Sequence, residues 1–309
     1  MQMDKSIDIL TIGDLCADVI LSGDGVVPEF GQKEKLIDDY DIEMGGSCSI
    51  FACQAAKLGL RTVMIGKIGC DPFGEVIYET MKSSGVDTRY VIRDPASKTG
   101  VTVILNTGKD RAMLTYTGTI DAVGRADVPE EILESVRHLH IGSYFLIKKI
   151  QPFYPEIIKK VKKCGGTISL DTNWDPAEKW DDGLWDILPY IDIFFPNENE
   201  IKAITRRDSL EKAVAELEGM VPIIAIKKGE DGAEVHTDGK VYYAKALPVK
   251  VADTVGAGDS FDAGFLYGYL GGASVQECAQ FGCICGSLNA RMAGGTKGQP
   301  KLEELLSYK

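Results

Sequence analysis

Short apolar runs of strand length alternate with helix-length segments along most of this chain, and that alternation constrains its fold more than any other feature. Strands are expected at 7–12, 62–65, 136–141, 167–170, 191–195 and 223–227. Helices are expected at 48–58, 73–83, 155–163, 197–204 and 210–217. Strands separated in this way indicate βαβ crossovers and a mostly parallel central sheet with helices on both faces, an α/β three-layer sandwich. Two stretches break the rhythm. Residues 14–44 and 96–119 carry β-type runs without a helix between them. Runs 99–105 and 112–117 flank Asn106-Thr107-Gly108-Lys109-Asp110, a good hairpin turn, while 19–21 and 35–42 are weaker strand candidates. The expected organisation is an α/β core made of 1–13, 45–95 and 120–309, with 14–44 and 96–119 pairing into a small β-sheet lid.

Charge and cysteine usage narrow the function. Lys and Arg number 34 against 46 Asp and Glu, a net charge of −12. Such a chain is a poor partner for nucleic acid, whose phosphates must be neutralised by Lys and Arg. Small phosphorylated ligands remain open, because a helix N-terminus supplies a local positive field. No apolar run reaches membrane-spanning length, and the N-terminus lacks the basic start and apolar stretch of a secretory signal. The eight cysteines include no C-x-x-C, so buried free thiols in a reducing cytoplasm are expected.

The most informative stretch is Asp253-Thr254-Val255-Gly256-Ala257-Gly258-Asp259-Ser260-Phe261, which follows a β-type run at 240–246 and opens an apolar helix at 261–270. A Gly-Ala-Gly turn lets backbone approach a ligand, and its amides with the helix N-terminus suit an anion. Asp259 beside that anion is placed to take a proton from a hydroxyl, which is what phosphoryl transfer to an alcohol requires. On these residues alone a plain turn with Asp259 as N-cap is equally open. The stretch is not a Walker A loop, and no G-x-G-x-x-G dinucleotide fingerprint follows the first strand.

DTVGAGDSFDAGF resembles the C-terminal signature of the ribokinase-like (PfkB) sugar kinases. Gly45-Gly46, the helix after it, Gly59 and TVMIGKIGCDPFGE are similar to that family's N-terminal signature, in the expected order. The resemblance implies a ribokinase-like fold, cytoplasmic location, and ATP-dependent phosphorylation of a hydroxyl on a small sugar or sugar acid. It implies Asp259 as general base and Gly256, Ala257 and Gly258 as the anion hole. Asn197 and Glu200 match an N-x-x-E motif that organises Mg2+, Glu200 through water, and the triphosphate. Lys227-Lys228-Gly229-Glu230-Asp231-Gly232 resembles the nucleotide loop, pointing to Lys228, Gly229 and Gly232. Asp14 and Asp18, with close backbone approach at Gly45 and Gly46, would hold the sugar. Asp253 and the Val255 carbonyl are compatible with a monovalent cation such as K+, and relatives often pair as homodimers through the lid.

Two positions depart from the family pattern. Ile50 stands where an Asn usually helps to hold the sugar, which implies a changed substrate preference. Asp175 stands where the D-x-N-x-R segment beginning at Asp171 usually has its Arg; Lys148, Lys149 and Arg111 are candidates to replace that cation. The alternative activity is a nucleoside kinase with the same machinery, for which Tyr40, Phe51, Tyr144 and Phe145 are candidates to stack on a base. A non-catalytic binding protein on the same fold is a further alternative.

Overall fold

Strand β1 (Ile7–Ile12) runs through the middle of the molecule, with Ile9, Leu10 and Ile12 fully buried. An apolar run buried on both faces is what a parallel strand between two helical layers requires. The structure, a computed structural model, describes residues 5–23, 25–107 and 111–308. After β1 come β2 (Cys16–Ser22), β3 (Asp39–Gly45), α1 (Ser47–Lys57), β4 (Thr62–Gly69), α2 (Pro72–Ser83), β5 (Val91–Asp94), β6 (Gly100–Asn106) and β7 (Arg111–Tyr116). The middle of the chain forms α3 (Glu130–Ser135), β8 (Val136–Ile141), α4 (Tyr154–Lys163), β9 (Thr167–Leu170), α5 (Leu184–Ile187), β10 (Ile193–Phe194), α6 (Glu198–Thr205) and α7 (Leu210–Leu217). It closes with β11 (Ile223–Lys227), β12 (Ala233–Thr237), β13 (Lys240–Ala244), α8 (Ala257–Leu270), α9 (Val275–Asn289) and α10 (Leu302–Leu306).

Nine strands make the large sheet, in the order β13-β12-β11-β10-β9-β8-β1-β4-β5. All its pairs are parallel except the antiparallel edge β11-β12-β13. Alternation along the strands serves both layers. Leu10, Leu139, Ile141 and Ile168 pack against α3, α4, α6 and α7 on one face. Ile9, Ile193, Phe195 and Ala225 meet α1, α8 and α9 on the other. The chain leaves β1 toward β4 on one side and later returns to β8 on its other side. Open α/β sheets bind ligands outside the strand carboxyl ends at such a switch point.

Strands β3-β2-β6-β7 form a separate four-stranded sheet from the two β-type stretches. Its edges differ from expectation: β3 ends at Gly45 rather than near 42, because antiparallel pairing with β2 carries the ladder from Asp39 opposite Ser22 to Gly45 opposite Cys16. Residues 108–110 of the expected hairpin turn lie outside the described residues. Strand β10 is shorter than the expected 191–195. Helix α9 went unread from sequence. It is apolar nearly all round and carries Gly282 and Gly286, so it shows no amphipathic stripe. Among the described residues no helix is long and apolar enough to cross a membrane.

Helices α8 and α9 touch through glycine. A Cβ on Gly264 would stand 2.6 Å from the Phe281 carbonyl oxygen, and one on Gly282 would stand 2.7 Å from the Phe261 ring. This contact fixes α8, whose N-terminus lies at the site described next. Gly264→Ala is expected to force the two helices apart and cost ~1–3 kcal/mol in urea unfolding. An unchanged urea midpoint would contradict this packing.

Candidate active site

Two helices begin side by side at the carboxyl edge of the large sheet. Helix α1 starts after Gly46, whose φ of 92° suits glycine, and its own cap residue offers no side chain. Asp14, just past β1, supplies the cap from across the chain. The Ser47 and Cys48 amides donate to its two carboxylate oxygens at 2.9 and 3.0 Å. Helix α8 starts after Gly256, with φ 71°, and a Cβ there would press on the Gly295 backbone and on Ile50. Gly256 holds the cap position, so Asp259 is not the N-cap; it lies inside the first turn. The Ala257 amide donates back to the Thr254 carbonyl at 3.2 Å and closes the turn. Gly258 and Asp259 therefore carry the first-turn amides best disposed toward an anion.

Asp259 is buried, with the Ser47 hydroxyl near its carboxyl. Burial pushes its carboxyl up to about 8, Asp171 adds to the rise, Lys227 partly offsets it, and Asp14 adds a further increment. Ser47 accepts from Asn173 Nδ2 at 2.7 Å. That hydroxyl ties the start of α1 to the loop after β9. Sequence alone does not single out Ser47, and marks Asn173 only as the Asn of the D-x-N-x-R segment beginning at Asp171.

Asp18, on β2, is buried beside Gly45, where any side chain would overlap its carboxylate. The Cys16 thiol donates to it at 3.6 Å. Burial, with Asp14, Asp253 and Glu43 near, pushes Asp18 up to about 6. The four residues expected at the sugar, Asp14, Asp18, Gly45 and Gly46, are therefore together where the small sheet meets the large one.

On the opposite side of α8, β10 and β11 end next to each other. Asn197 caps α6: its Oδ1 accepts from the Asn199 and Glu200 amides, both at 2.9 Å. Glu200 Oε2 accepts from the Asn197 amide at 2.8 Å, so the motif is a capping box that leaves Oε1 for other work. Burial, then Asp171, pushes Glu200 up to about 7. Among the described residues no three His, Cys, Asp or Glu side chains converge as a metal cluster. A divalent ion here would keep waters and phosphate oxygens as ligands, with Glu200 reaching it through water, which fits Mg2+ chemistry.

A cavity of about 650 Å³ opens beside the α8 turn, with Lys227, Gly229, Gly232 and Gly258 at its polar end and Leu247 and Val251 on its apolar wall. One polar end and one apolar wall suit a nucleotide. Lys228 faces elsewhere: its ammonium donates to Glu234 at 3.0 Å. Lys227, the last residue of β11, is the lysine that lines the cavity.

Other expected residues are engaged within the protein. The Val255 carbonyl accepts from Asn289 Nδ2 at 2.9 Å, and Asp253 accepts from the Val255 and Gly294 amides. This geometry gives a monovalent cation no added support. Asp175 accepts from the Ala177, Lys179 and Trp180 amides, organising its own loop instead of replacing an arginine. Lys148 pairs with Asp182, and Lys149 donates to the Ala122 carbonyl. The Arg111 side chain lies outside the described residues. Ile50 is buried against Gly256 and Gly295, as packing beneath the turn that opens α8. Phe51 stacks on His140 at 3.8 Å, and Tyr144 and Phe145 are core, while Tyr40 is exposed on the small sheet.

The sequence model of the pfkB family carbohydrate kinases matches residues 6–302. The chain belongs to the pfkB family of carbohydrate kinases. It is thus a sugar kinase, a phosphotransferase, by family. An uncharacterized sugar kinase of Archaeoglobus fulgidus is 28% identical over 246 residues, 80% of this chain and 98% of its own. The 2-dehydro-3-deoxygluconokinase of Bacillus subtilis is 29% identical over 287 residues, 88% of each chain. The crystal structure of an E. coli protein in complex with ATP and Mg2+ shares the fold with a TM-score of 0.85 at 24% identity, covering 98% of each chain. The ribokinase-like architecture expected from the sequence is therefore the one observed.

A buried carboxyl pushed up to about 8 makes the kinase less stable wherever its ionisation is forced. An unfolded Asp titrates near ~4, so Asp259 erodes stability progressively as pH rises from there toward 8. Asp259→Asn removes that penalty. The variant is expected to melt above the wild type, with a gap that widens from pH 5 to pH 8 in paired thermal scans. A constant or reversed gap would contradict the burial of this carboxyl.

Proposed function

We propose that this pfkB-family kinase transfers the γ-phosphoryl group of ATP to a hydroxyl of a small sugar or sugar acid, with Asp259 as general base. The observation that carries the reading is a buried carboxyl in the first turn of α8, beside that helix's own outward amides and facing the Asp14-capped start of α1. The acceptor hydroxyl gives its proton to Asp259 as its oxygen bonds to the γ-phosphorus. The bond from that phosphorus to the β–γ bridging oxygen breaks, and ADP leaves. The Gly256–Gly258 turn and the Gly258 and Asp259 amides offer fixed dipoles to the transferring oxygens, where charge spreads in the transition state. Bound Mg2+ would neutralise phosphate charge, with Asn197 shaping the α6 start so that Glu200 faces its water shell.

Asp14 and Asp18 accept from sugar hydroxyls in this reading. A carboxylate has about four acceptor sites, so Asp14 keeps some after capping α1. The small sheet acts as the lid. Asp18 and Glu43 face inward from it, and Lys297 reaches across from the main body to pair with Glu43. Closing the lid would exclude water, the competing acceptor.

The other face of that sheet is apolar. Register places Ile42, Val19, Val103 and Leu114 in one row across it, with Tyr40, Leu21 and Leu105 beside them. Ile42 is 42% exposed and Leu114 65%. A continuous apolar sheet face is costly to leave in water, and a second copy of the same face covers it by two-fold symmetry. The protein is expected to sediment as a homodimer, and Ile42→Glu with Leu114→Glu to sediment as a monomer. A monomeric wild type would contradict the pairing.

The activity is tested by ADP release with Mg·ATP across sugars, sugar acids, polyols and nucleosides. A sugar or sugar acid is expected to stimulate release, and Asp259→Asn to lower the rate by ~10²–10⁴. Because the base must be ionised, kcat/KM is expected to rise with pH, with its midpoint near pH 8 and a plateau above it. Stimulation by nucleosides alone would move the assignment to a nucleoside kinase, and no stimulation by any acceptor would overturn it.

A further inference from the structure

The reading above leaves one buried charge without a task. Lys227 is the last residue of β11 and only 15% of its side chain is exposed, yet it lines the same cavity as Gly229 and Gly258. Its ammonium donates to Asp171 Oδ2 at 2.5 Å and lies 3.5 Å from Asp262 Oδ1. An ammonium carries three N–H donors, and only the one to Asp171 makes a hydrogen bond, so donors remain for a ligand. A Cβ built on Gly258 would stand 3.4 Å from Nζ. The ammonium therefore sits in van der Waals reach of the anion turn, and a glycine at 258 keeps the way to it open.

We infer that Lys227 is the cation that meets the transferring phosphoryl group, held in place by Asp171 and Asp262. The inference rests on the kinase reading and adds a residue to it. Charge balance at this edge of the sheet supports it. Asp14, Asp171, Glu200 and Asp259 gather there, and a triphosphate arriving among them needs a positive partner. Asp175 stands where a cation was expected and is turned to its own loop. Lys148, Lys149 and Lys228 are bonded elsewhere. A buried ion pair is by itself weak evidence for a stabilising role, since well-packed apolar groups often serve as well. A pair kept against a ligand cavity has a chemical use. Lys227 is a point charge fixed by two anchors, pre-positioned where phosphoryl charge develops, so little reorganisation is needed when it acts.

The test uses two variants. Lys227→Met removes the charge while keeping much of the volume. Lys227→Met with Asp171→Asn also removes the counter-charge, so that the buried site stays balanced if the single variant folds poorly. Calorimetry with ATP and with ADP, without sugar, gives a readout independent of turnover. Loss of a charged contact to the terminal phosphate is expected to weaken ATP by ~10-fold or more in both variants and to leave ADP nearly unchanged. Turnover per folded molecule is expected to fall ~10²–10³ with the acceptor KM unchanged. Equal weakening of ATP and ADP, or a double variant that regains both wild-type melting temperature and wild-type kcat, would show a purely structural lysine and overturn the inference. A wild type that binds ATP but phosphorylates no acceptor would overturn the kinase reading instead, and the ATP-to-ADP comparison would still judge Lys227.

Discussion

Helices α1 and α8 pack against each other so that their N-termini open on one space, and the site is organised by the field they create there. Each first turn leaves amides without intrahelical acceptors. At α1 those amides are satisfied by Asp14 from the end of β1, which locks the helix to the central strand. At α8 the Gly256 turn closes on Thr254 and presents the next amides outward. The glycines between α8 and α9 hold that turn at its depth. Ser47, near Asp259, accepts from Asn173 and joins the α1 start to the loop after β9.

A second constraint is charge. The carboxyl ends of β9, β10 and β11 gather Asp171, Glu200 and Lys227 beside Asp259 and Asp262, all largely out of water. Burial works against ionising Asp171, but the Lys227 ammonium, Asp262 and the Asn173 amide together outweigh it and hold that carboxyl below the usual range. Burial pushes Asp262 well above the range, Glu200 up to about 7 and Asp259 up to about 8. Carboxyls of one residue class are thereby separated into a fixed charge, a neutral acid and groups that titrate near neutral pH. Such separation by environment is how one site holds groups suited to different proton tasks near neutral pH.

Much of this was legible in the sequence because it rests on local rules. Strand and helix periods gave the layered sheet, and the paired signatures around Gly45-Gly46 and Gly256-Ala257-Gly258-Asp259 gave the family. What the sequence hid depends on direction and distance. Lys227 and Lys228 are adjacent, and the end of β11 between them leaves Lys227 on the cavity and turns Lys228 to Glu234. Asn197 and Glu200 read as cation organisers, and the fold shows them first as a capping box. Asp175 looked like a lost cation, but three backbone amides explain it as a loop anchor. Ile50 looked like a lost sugar contact, and it packs beneath Gly256. Helix α9 lacked an amphipathic stripe because it is buried on nearly every side.

The small sheet combines both kinds of constraint, an acidic face turned to the site and an apolar face turned outward, with period-two alternation producing the two at once. Its inward carboxylates and the buried Asp259 belong to one electrostatic arrangement, so the state of Asp259 tests that arrangement most directly. Carbon-13 NMR of aspartate-labelled protein, with the Asp259 carboxyl assigned by its loss in Asp259→Asn, measures it. A carboxyl titrating near pH 8 in the free enzyme is the predicted result. Titration near ~4, the value of an exposed aspartate, would contradict a buried base at the head of α8.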